Sequence, residues 1–449
     1  MSLTGTPFLF TAIALVAIAV VLPLALWSRV RGPAVVRAVA RVLMLVFDQV
    51  TAVTLVFVLV NDANSLYDDW ADLLGTGNHV RGAADLGSDG TGGIAYRKQP
   101  KVRQAFTQAD GPGMRQAGGV RVTQLTGRVS GVSAEVYVWL PPQYDEPAYR
   151  NKTFPVVELL PGYPGSAKAW FGSLKAHEQL LPLMRSGQVA PFILVAPRTN
   201  LIAAVDTGCA NIPGTVNADS WLSVDVPKMV MDNFRTESAP DGWAVAGYSA
   251  GAHCAAKLAV AHPDHYRAAV SMSGYNDPIG ERASLAARTV QLRRRNNPYV
   301  LLKGYRTPPR VALYVSGEFG DGGQAGAALQ SIAKPPTTVH VVLMPHSAGG
   351  HSMALWRPQV PTVFRWLTAE IGPGAKGARG AKGFHGAQGS QDSQGPQSSQ
   401  GSQGSQGSQG SQGARVPGGT TPPSPSNAGA RRAALASGNA SRAAVGRKR

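Results

Sequence analysis

Five consecutive residues, Gly247-Tyr248-Ser249-Ala250-Gly251, restrict the possible folds of this chain more than any other feature. Their G-x-S-x-G spacing is typical of a sharp strand-to-helix turn that exposes a serine. The preceding apolar run, 243–246, suits a buried parallel strand, and the following stretch, 252–261, is rich in good helix formers. A chain with 52 Gly can contain this motif by chance, so the prediction of a strand-to-helix turn depends on the flanking strand-like and helix-like residues. We therefore predict a strand, a strained turn with a nucleophilic serine, and a helix.

Strand-like and helix-like runs alternate on both sides of this motif. Two runs that alternate apolar and polar residues, 120–126 and 134–140, predict antiparallel strands with one covered face. Uniformly apolar runs then alternate with helical stretches and predict an α/β domain with a mostly parallel central sheet. These runs are 155–160, 192–196, 268–272, 311–315 and 339–344. An amphipathic stretch, 359–371, closes the domain.

A nucleophilic serine needs a base and an acid, which follow it in the order Ser, Asp or Glu, His in this kind of sheet. The loop after the run 311–315 offers two carboxylates, and we favour Asp321 over Glu318 because the longer loop lets its side chain turn back toward the sheet. After the last strand, His351 follows two glycines and precedes a helix, as suits a base presented on a loop. His346 is the rival histidine.

The oxyanion of a tetrahedral intermediate needs two backbone donors close to the serine. Ala250, directly after the serine, is predicted to supply one amide. The second is expected from the loop Leu160-Pro161-Gly162-Tyr163-Pro164, which follows an early strand. Because Pro164 has no amide hydrogen, Tyr163 is the expected donor. Read alone, this loop has an ordinary Gly/Pro turn as its alternative.

Four segments together carry a family resemblance: LLPGYPGSAKAW, AVAGYSAGAHCAAKLA, VSGEFGD and GGHSMALWRPQVPTVFRWL. They resemble the putative-esterase branch of the α/β-hydrolases, which includes esterase D-like enzymes and secreted mycolyltransferases. Over about residues 120–371, the resemblance implies an α/β-hydrolase fold, an acyl-serine intermediate and no metal or other cofactor. It implies Ser249 as nucleophile, His351 as base and Asp321 as the orienting acid. Pro161 departs from the histidine that many members carry before the glycine.

The amino-terminal region contains two apolar spans. Residues 7–27 include no charge, and residues 42–60 are interrupted only by Asp48 and Gln49. Four arginines lie between the spans and acidic residues follow the second, so the positive-inside rule predicts a two-helix transmembrane hairpin with a cytoplasmic turn. A cleaved signal peptide fits poorly because no positive residue precedes the first span. A buried or interfacial helix is the alternative for the second span.

The two cysteines, Cys209 and Cys254, are the only ones in the chain. In an oxidising compartment they are expected to form one disulfide beside the active site. Two unrelated buried thiols are the alternative. A metal site is not expected, since neither cysteine has a second ligand at the usual spacing.

Two segments lie outside the expected catalytic domain. Residues 62–119 are rich in Gly, Asp and Ala and are interpreted as a stalk or linker. From Gly374 to Gly413 glycine recurs at almost every third position, but Pro396 is the only proline in that run, so a disordered tail is favoured over a collagen-like helix. From residue 372 onward there are ten Lys and Arg and one Asp, so the tail carries nine of the seventeen net positive charges. No folded nucleic-acid motif accompanies this charge.

The sequence thus predicts four parts: the hairpin (1–61), the stalk (62–119), the hydrolase domain (120–372) and the tail (373–449). We expect a cell-membrane, multi-pass protein with an extracytoplasmic catalytic domain. The predicted activity is that of a serine esterase or acyltransferase on a small-molecule, lipid or glycan ester. A non-catalytic protein that uses the same fold to bind cell-envelope material is the alternative. No nucleic-acid partner is expected, and the sequence does not define an oligomeric state.

Overall fold

The structure is a computed structural model that describes residues 3, 5–87, 100–101 and 103–372. The predicted disordered tail and its glycine period lie outside the described residues. The described helices, numbered α1 to α12, are Thr6–Leu26, Ala34–Asn64, Trp70–Leu73, Ala176–Arg185, Ala218–Ser220, Val226–Asn233, Ala250–Ala261, Val290–Arg295, Pro298–Gly304, Gly323–Ile332, Met353–Trp356 and Val360–Ile371.

The centre of the fold is a nine-stranded sheet in the order β1-β2-β3-β5-β4-β8-β9-β10-β11, and a separate two-stranded ribbon pairs β6 with β7. The strands β1 to β11 are Thr107–Gln108, Arg121–Thr126, Ser133–Trp139, Val156–Leu160, Ile193–Pro197, Asn211–Ile212, Val216–Asn217, Trp243–Tyr248, Ala268–Met272, Ala312–Gly317 and Thr338–Leu343. The sequence runs that predicted strands coincide with the members of this sheet from β2 to β11. Strand β1, only two residues long, had no sequence signal.

Strand direction divides the sheet into two parts. Strands β1, β2, β3 and β5 pair antiparallel in succession, whereas β5, β4, β8, β9, β10 and β11 are all mutually parallel. The carboxyl ends of these parallel strands therefore lie along one edge, which we call the carboxyl edge of the sheet. The loops that follow these strands meet at this edge, where α/β sheets bind ligands.

Side chains of each strand alternate between two hydrophobic cores, one on each face of the sheet. On β4, Val157 and Leu159 point into one core, and Val156 and Leu160 into the other. Helices α4 and α12 cover the first core, and α7 is the largest helix over the second. Burial on both faces explains why these strands have continuous apolar runs, as parallel strands with helices on both faces do.

The two amino-terminal helices, α1 and α2, are long and apolar enough to cross a membrane by length and composition, with mean hydropathy 2.8 and 2.3 over their most apolar windows. They pack against each other. Helix α2 begins at Ala34, upstream of the apolar span, so Arg37 and Arg41 lie in its first turns and not in the turn between the helices. The guanidinium of Arg41 stacks 5.0 Å from the ring of Trp27 and donates to the Trp27 carbonyl at 3.2 Å.

Part of the segment predicted as a stalk is packed against the hydrolase domain. Residues 65–74, which we call the docking segment, follow α2 directly and include α3. Their carboxylates Asp68 and Asp72 pair with Arg198, which follows β5 and is only 4% exposed. Further along, Met114 is fully buried in the core between the sheet and α4. Residues 65–87 and 103–119 thus contribute to the surface and core of the domain.

Candidate active site

The turn at Ser249 has the strained geometry that the motif predicted. Ser249 follows β8, precedes α7 and has φ +57° and ψ −125°, in the left-handed half of φ that L-residues other than glycine rarely adopt. A Cβ atom on Gly251 would collide with the backbone carbonyl oxygens of Leu160 and Pro161, because α7 begins directly against the end of β4. Close backbone approach therefore requires glycine here, and the turn holds the serine hydroxyl at the carboxyl edge.

Three loops of the carboxyl edge bring Ser249, His351 and Asp321 together. The hydroxyl of Ser249 lies 2.8 Å from His351 Nε2 and donates to it. On the other side of the ring, His351 Nδ1 lies 2.9 and 3.0 Å from the two carboxylate oxygens of Asp321, to which it donates. This arrangement leaves Nε2 as the acceptor of the serine proton. Gly349 and Gly350, both with positive φ, turn the loop after β11 so that His351 reaches the serine.

The rival acid and the rival histidine pair with each other. His346 Nδ1 lies 2.7 Å from Glu318 Oε2, and the His346 side chain is 87% exposed. Glu318 makes its contact from the same loop as Asp321, but with the short 3-10 turn His346–Ala348 that comes before His351 in the loop after β11. The structure thus separates two acid–histidine pairs, of which only the Asp321–His351 pair contacts Ser249.

The loop after β4 lies directly against the serine. A Cβ atom added to Gly162 would be 3.0 Å from Ser249 Cβ and 3.4 Å from Ser249 Oγ. Tyr163 therefore follows a residue in contact with the nucleophile, and Ala250 follows the nucleophile itself. Within the described residues, neither the Tyr163 nor the Ala250 amide has an acceptor in the chain. Burial, together with Asp206, Glu281 and Tyr67, raises the pKa of the Tyr163 hydroxyl to about 12.

An aromatic wall supports the serine and the histidine, and sequence reasoning did not identify it. Trp356 stacks on Tyr248 with ring centroids 4.6 Å apart and meets the His351 ring edge-on at 4.9 Å. The Trp356 indole donates to the Ser273 hydroxyl at 3.0 Å, which fixes the orientation of its ring. A tryptophan five residues after His351 was visible in the sequence, but its contact with the residue before the serine depends on the fold.

The elbow helix α7 is anchored to the loop that contains Cys209. Cys209 and Cys254 form a disulfide with a Cα–Cα distance of 5.7 Å. Lys257, one turn further along, donates to the Cys209 carbonyl at 2.9 Å and pairs with the buried Asp219. Burial alone would raise the pKa of Asp219, but His262 and Lys257 hold it well below its usual range. Two turns of α7 are thus tied to Cys209 by a covalent bond and a hydrogen bond, and the ion pair with Asp219 ties the second turn to α5 as well.

His253, one turn after the serine, is fully buried and is turned away from the reaction centre. Its Nδ1 lies 2.9 Å from the Tyr275 carbonyl, and its ring stacks on Tyr275 at 4.6 Å. Burial lowers its pKa to about 4, so it is neutral near pH 7. Within the described part of the chain, no group of three His, Cys, Asp or Glu is arranged to hold a metal ion.

Comparisons with known proteins agree with this fold. The family model described as putative esterase matches residues 129–367. An uncharacterised protein of Corynebacterium glutamicum is 26% identical over 259 residues, which are 53% of this chain and 58% of that protein. The chain therefore spans less than two thirds of this relative.

Two solved structures are also similar. A ferulic acid esterase has 18% sequence identity and a TM-score of 0.46, over 56% of this chain and 97% of that one. The fluorophosphonate-binding serine hydrolase F of Staphylococcus aureus has 16% identity and a TM-score of 0.45, over 57% of this chain and 99% of that one.

The mostly parallel sheet, with its serine turn at the carboxyl edge, defines an α/β-hydrolase fold. Since the family model matches more than half of the chain, the chain belongs to the putative esterase family. The resemblance inferred from the four sequence segments is confirmed.

Proposed function

We propose that this protein is a membrane-anchored, extracytoplasmic serine esterase that works through Ser249, His351 and Asp321. The observation that carries the proposal is the unbroken hydrogen-bond chain from Ser249 Oγ through both nitrogens of His351 to the Asp321 carboxylate. A serine hydroxyl is a weak nucleophile until an adjacent base accepts its proton, and the base needs a partner that fixes its tautomer.

The reaction proceeds in two steps. Ser249 Oγ attacks the ester carbonyl carbon while its proton passes to His351 Nε2, and the amides of Tyr163 and Ala250 donate to the oxyanion. As the carbon–oxygen bond to the leaving alcohol breaks, His351 returns the proton to that oxygen. A water molecule, or an acceptor alcohol in the case of acyl transfer, then attacks the acyl-serine. His351 takes the proton of this water or alcohol and returns it to Ser249 Oγ as the bond between the acyl carbon and Oγ breaks, which releases the acid or the new ester and restores the serine.

The proposed location rests on the amino-terminal helices. Four arginines lie between or at the start of the two apolar stretches, which favours a cytoplasmic turn and an extracytoplasmic hydrolase domain. The disulfide between Cys209 and Cys254 fits an oxidising compartment. Proteolysis of intact cells tests the orientation, since an extracytoplasmic domain is cleaved without permeabilisation.

Labelling with a fluorophosphonate probe tests the chemistry. The parent protein should be labelled and should hydrolyse 4-nitrophenyl butyrate, and Ser249→Ala should lose both properties while remaining folded. The matched control is Ser331→Ala, which removes the exposed hydroxyl of a serine on α10 that bonds only the Ala328 carbonyl one turn earlier. This variant should keep both labelling and hydrolysis.

A parent protein that resists the probe and is inactive toward a broad panel of esters would instead support the binding-protein alternative. Addition of an acceptor alcohol distinguishes acyl transfer from hydrolysis by the product formed.

A further inference from the structure

The end of helix α2 is joined to the active-site edge of the domain through the docking segment, without a flexible tether. The Asn61 side chain, in the last turn of α2, both donates to the Tyr67 carbonyl at 3.1 Å and accepts from the Tyr67 amide at 2.8 Å. Ser65 is the first residue after α2. Its carbonyl oxygen accepts from the Ser166 amide at 2.9 Å, and its hydroxyl contacts the Ser173 hydroxyl at 2.9 Å.

The docking segment is held by buried charges as well. Asp68 accepts from the Ser166 hydroxyl at 2.6 Å. Nη1 of Arg198 donates to both carboxylate oxygens of Asp72 at 2.9 Å, and Nε of Arg198 pairs with the Glu135 carboxylate at 2.7 Å. A guanidinium that is 4% exposed requires such partners, because an unpaired buried charge is strongly destabilising. The segment is therefore part of the folded domain, and its position relative to the sheet is fixed.

These contacts all lie at the carboxyl edge of the sheet. Ser166 is in the loop that follows β4, and Arg198 directly follows β5. Ser166 is only four positions after Gly162, which contacts Ser249, so at about 3.8 Å per residue the chain between them spans no more than about 15 Å. The Ser65–Ser166 bond at one end and the Gly162–Ser249 contact at the other each add about 5 Å, so Ser249 lies within roughly 25 Å of the end of α2.

Exposed apolar side chains occur at the same edge. Phe319, after β10, is 60% exposed, and Leu343, the last residue of β11, is 60% exposed. In the docking segment, Trp70 is 42% exposed and contacts Phe8 of α1 with ring centroids 5.3 Å apart, and Leu74 is 69% exposed. Trp70 and Leu74 are thus exposed apolar groups directly after an apolar helix, which suits the interface between a membrane and water. Phe319 and Leu343 lie further along the same edge, after β10 and at the end of β11.

We propose that the docking segment holds the active site against the membrane surface, so that the enzyme acts on amphiphilic esters presented by the same bilayer in preference to esters dissolved in water. This inference rests on the proposed serine esterase activity and membrane anchoring. It narrows the substrate class to esters whose ester group is presented at the membrane surface. A rigid link of this kind maintains a high local concentration of membrane-bound ester at the serine, which a long flexible tether would dilute.

The test compares two esters on one protein. The full-length protein is reconstituted in vesicles of phosphatidylcholine and phosphatidylglycerol, and hydrolysis of dissolved 4-nitrophenyl butyrate is measured beside that of 4-methylumbelliferyl oleate inserted in the vesicles. In the test variant, a Gly/Ser linker of about 20 residues, with a mean reach of about 25 Å, is inserted between Asn64 and Ser65. The same linker between Gly187 and Gln188, an exposed turn at the other end of the sheet, is the control.

The linker after Asn64 is expected to lower the vesicle-ester rate about tenfold and to leave the dissolved-ester rate unchanged, because the domain stays intact but moves away from the bilayer. The control linker should change neither rate. Equal vesicle-ester rates for the two insertions would overturn the inference. Absence of dissolved-ester hydrolysis in the parent protein would instead refute the proposed function, so the two failures are distinguishable.

A measurement independent of activity covers the case in which an insertion disturbs folding. The only two cysteines form the disulfide, so a cysteine introduced by Gly320→Cys or Gln188→Cys provides a single labelling site. Gly320 is in the loop after β10 and has open space around its Cα. Energy transfer to a headgroup-labelled lipid should be stronger from position 320 than from position 188. Equal transfer, or stronger transfer from 188, would contradict the proposed orientation.

Discussion

The two acid–histidine pairs allow a sharp test of which carboxylate orients the base. Asp321 and Glu318 are three residues apart on one loop, and each accepts from a histidine Nδ1, at 2.9 Å for Asp321 and 2.7 Å for Glu318. Both contacts have ordinary hydrogen-bond lengths, but Asp321 accepts with both carboxylate oxygens and Glu318 with one, and only His351 contacts Ser249. Asp321→Asn and Glu318→Gln are therefore matched changes that remove one charge each and keep the shape of the side chain.

The expected magnitude follows from the surroundings of each pair. In serine triads elsewhere, loss of the orienting carboxylate lowers turnover by about 10⁴, since the base no longer keeps the right tautomer and its charged form loses a partner. Here the Asp321 and His351 side chains are 30% and 49% exposed, so solvent screens part of this interaction. We expect kcat/KM to fall by about 10³ for Asp321→Asn, equivalent to about 4 kcal/mol. Glu318→Gln should stay within about threefold, because its partner His346 is 87% exposed and does not contact Ser249.

The assay is hydrolysis of 4-nitrophenyl butyrate by the parent and both variants from pH 6 to 9, with fluorophosphonate labelling rates as a second measure. Thermal unfolding of each variant shows that the fold is retained. The reasoning is refuted if Glu318→Gln loses as much activity as Asp321→Asn, or if Asp321→Asn keeps more than about a tenth of the parent kcat/KM.

Three further outcomes follow from the structure. Burial raises the pKa of Glu158 to about 8. The folded state therefore keeps a proton that the unfolded chain releases above its ordinary pKa, so the free energy of unfolding should fall between about pH 4.5 and 8, by at most about 5 kcal/mol. Glu158→Gln should flatten this dependence in urea titrations at pH 5 and 8, and an unchanged slope would contradict it. Replacing both Cys209 and Cys254 by Ser opens a link between residues 45 apart and should lower stability by about 4 kcal/mol, measured by denaturant unfolding; no change would mean that the loop is held by its other contacts. Gly251→Ala should abolish soluble expression or activity, since its Cβ meets two carbonyl oxygens, whereas Gly304→Ala, with open space, should be neutral; equal behaviour would refute the close packing at the turn.

The sequence predicted the structure best where a feature depends on neighbouring residues in the chain. Apolar runs predicted the buried strands because both faces of the parallel sheet are covered. The glycines around Ser249 indicated a turn where neighbouring backbone leaves no room for a Cβ atom. The bounds of α2 were predicted less well. Arg37 and Arg41 looked like part of a polar turn, but arginine is a good helix former and the helix begins before them.

Pairings between distant residues could not be predicted in the same way. Asp68 and Asp72 resemble the polar residues of a flexible stalk, and their partner Arg198 is more than 120 residues away in the chain. Likewise, the order of motifs offered two acids and two histidines but did not say which acid contacts which histidine. That choice depends on how far the loops after β10 and β11 extend at the carboxyl edge, which is a property of the folded chain.

The docking of residues 65–74 also bears on how a soluble form of this protein should be produced. A recombinant fragment that starts at 120, the boundary predicted from sequence, would lack Asp68 and Asp72 and leave Arg198 with Glu135 as its remaining carboxylate. It would also remove Met114 from the core. A fragment that starts at Ser65 retains all of these contacts and omits both apolar helices. For expression without detergent, the cut therefore belongs between Asn64 and Ser65.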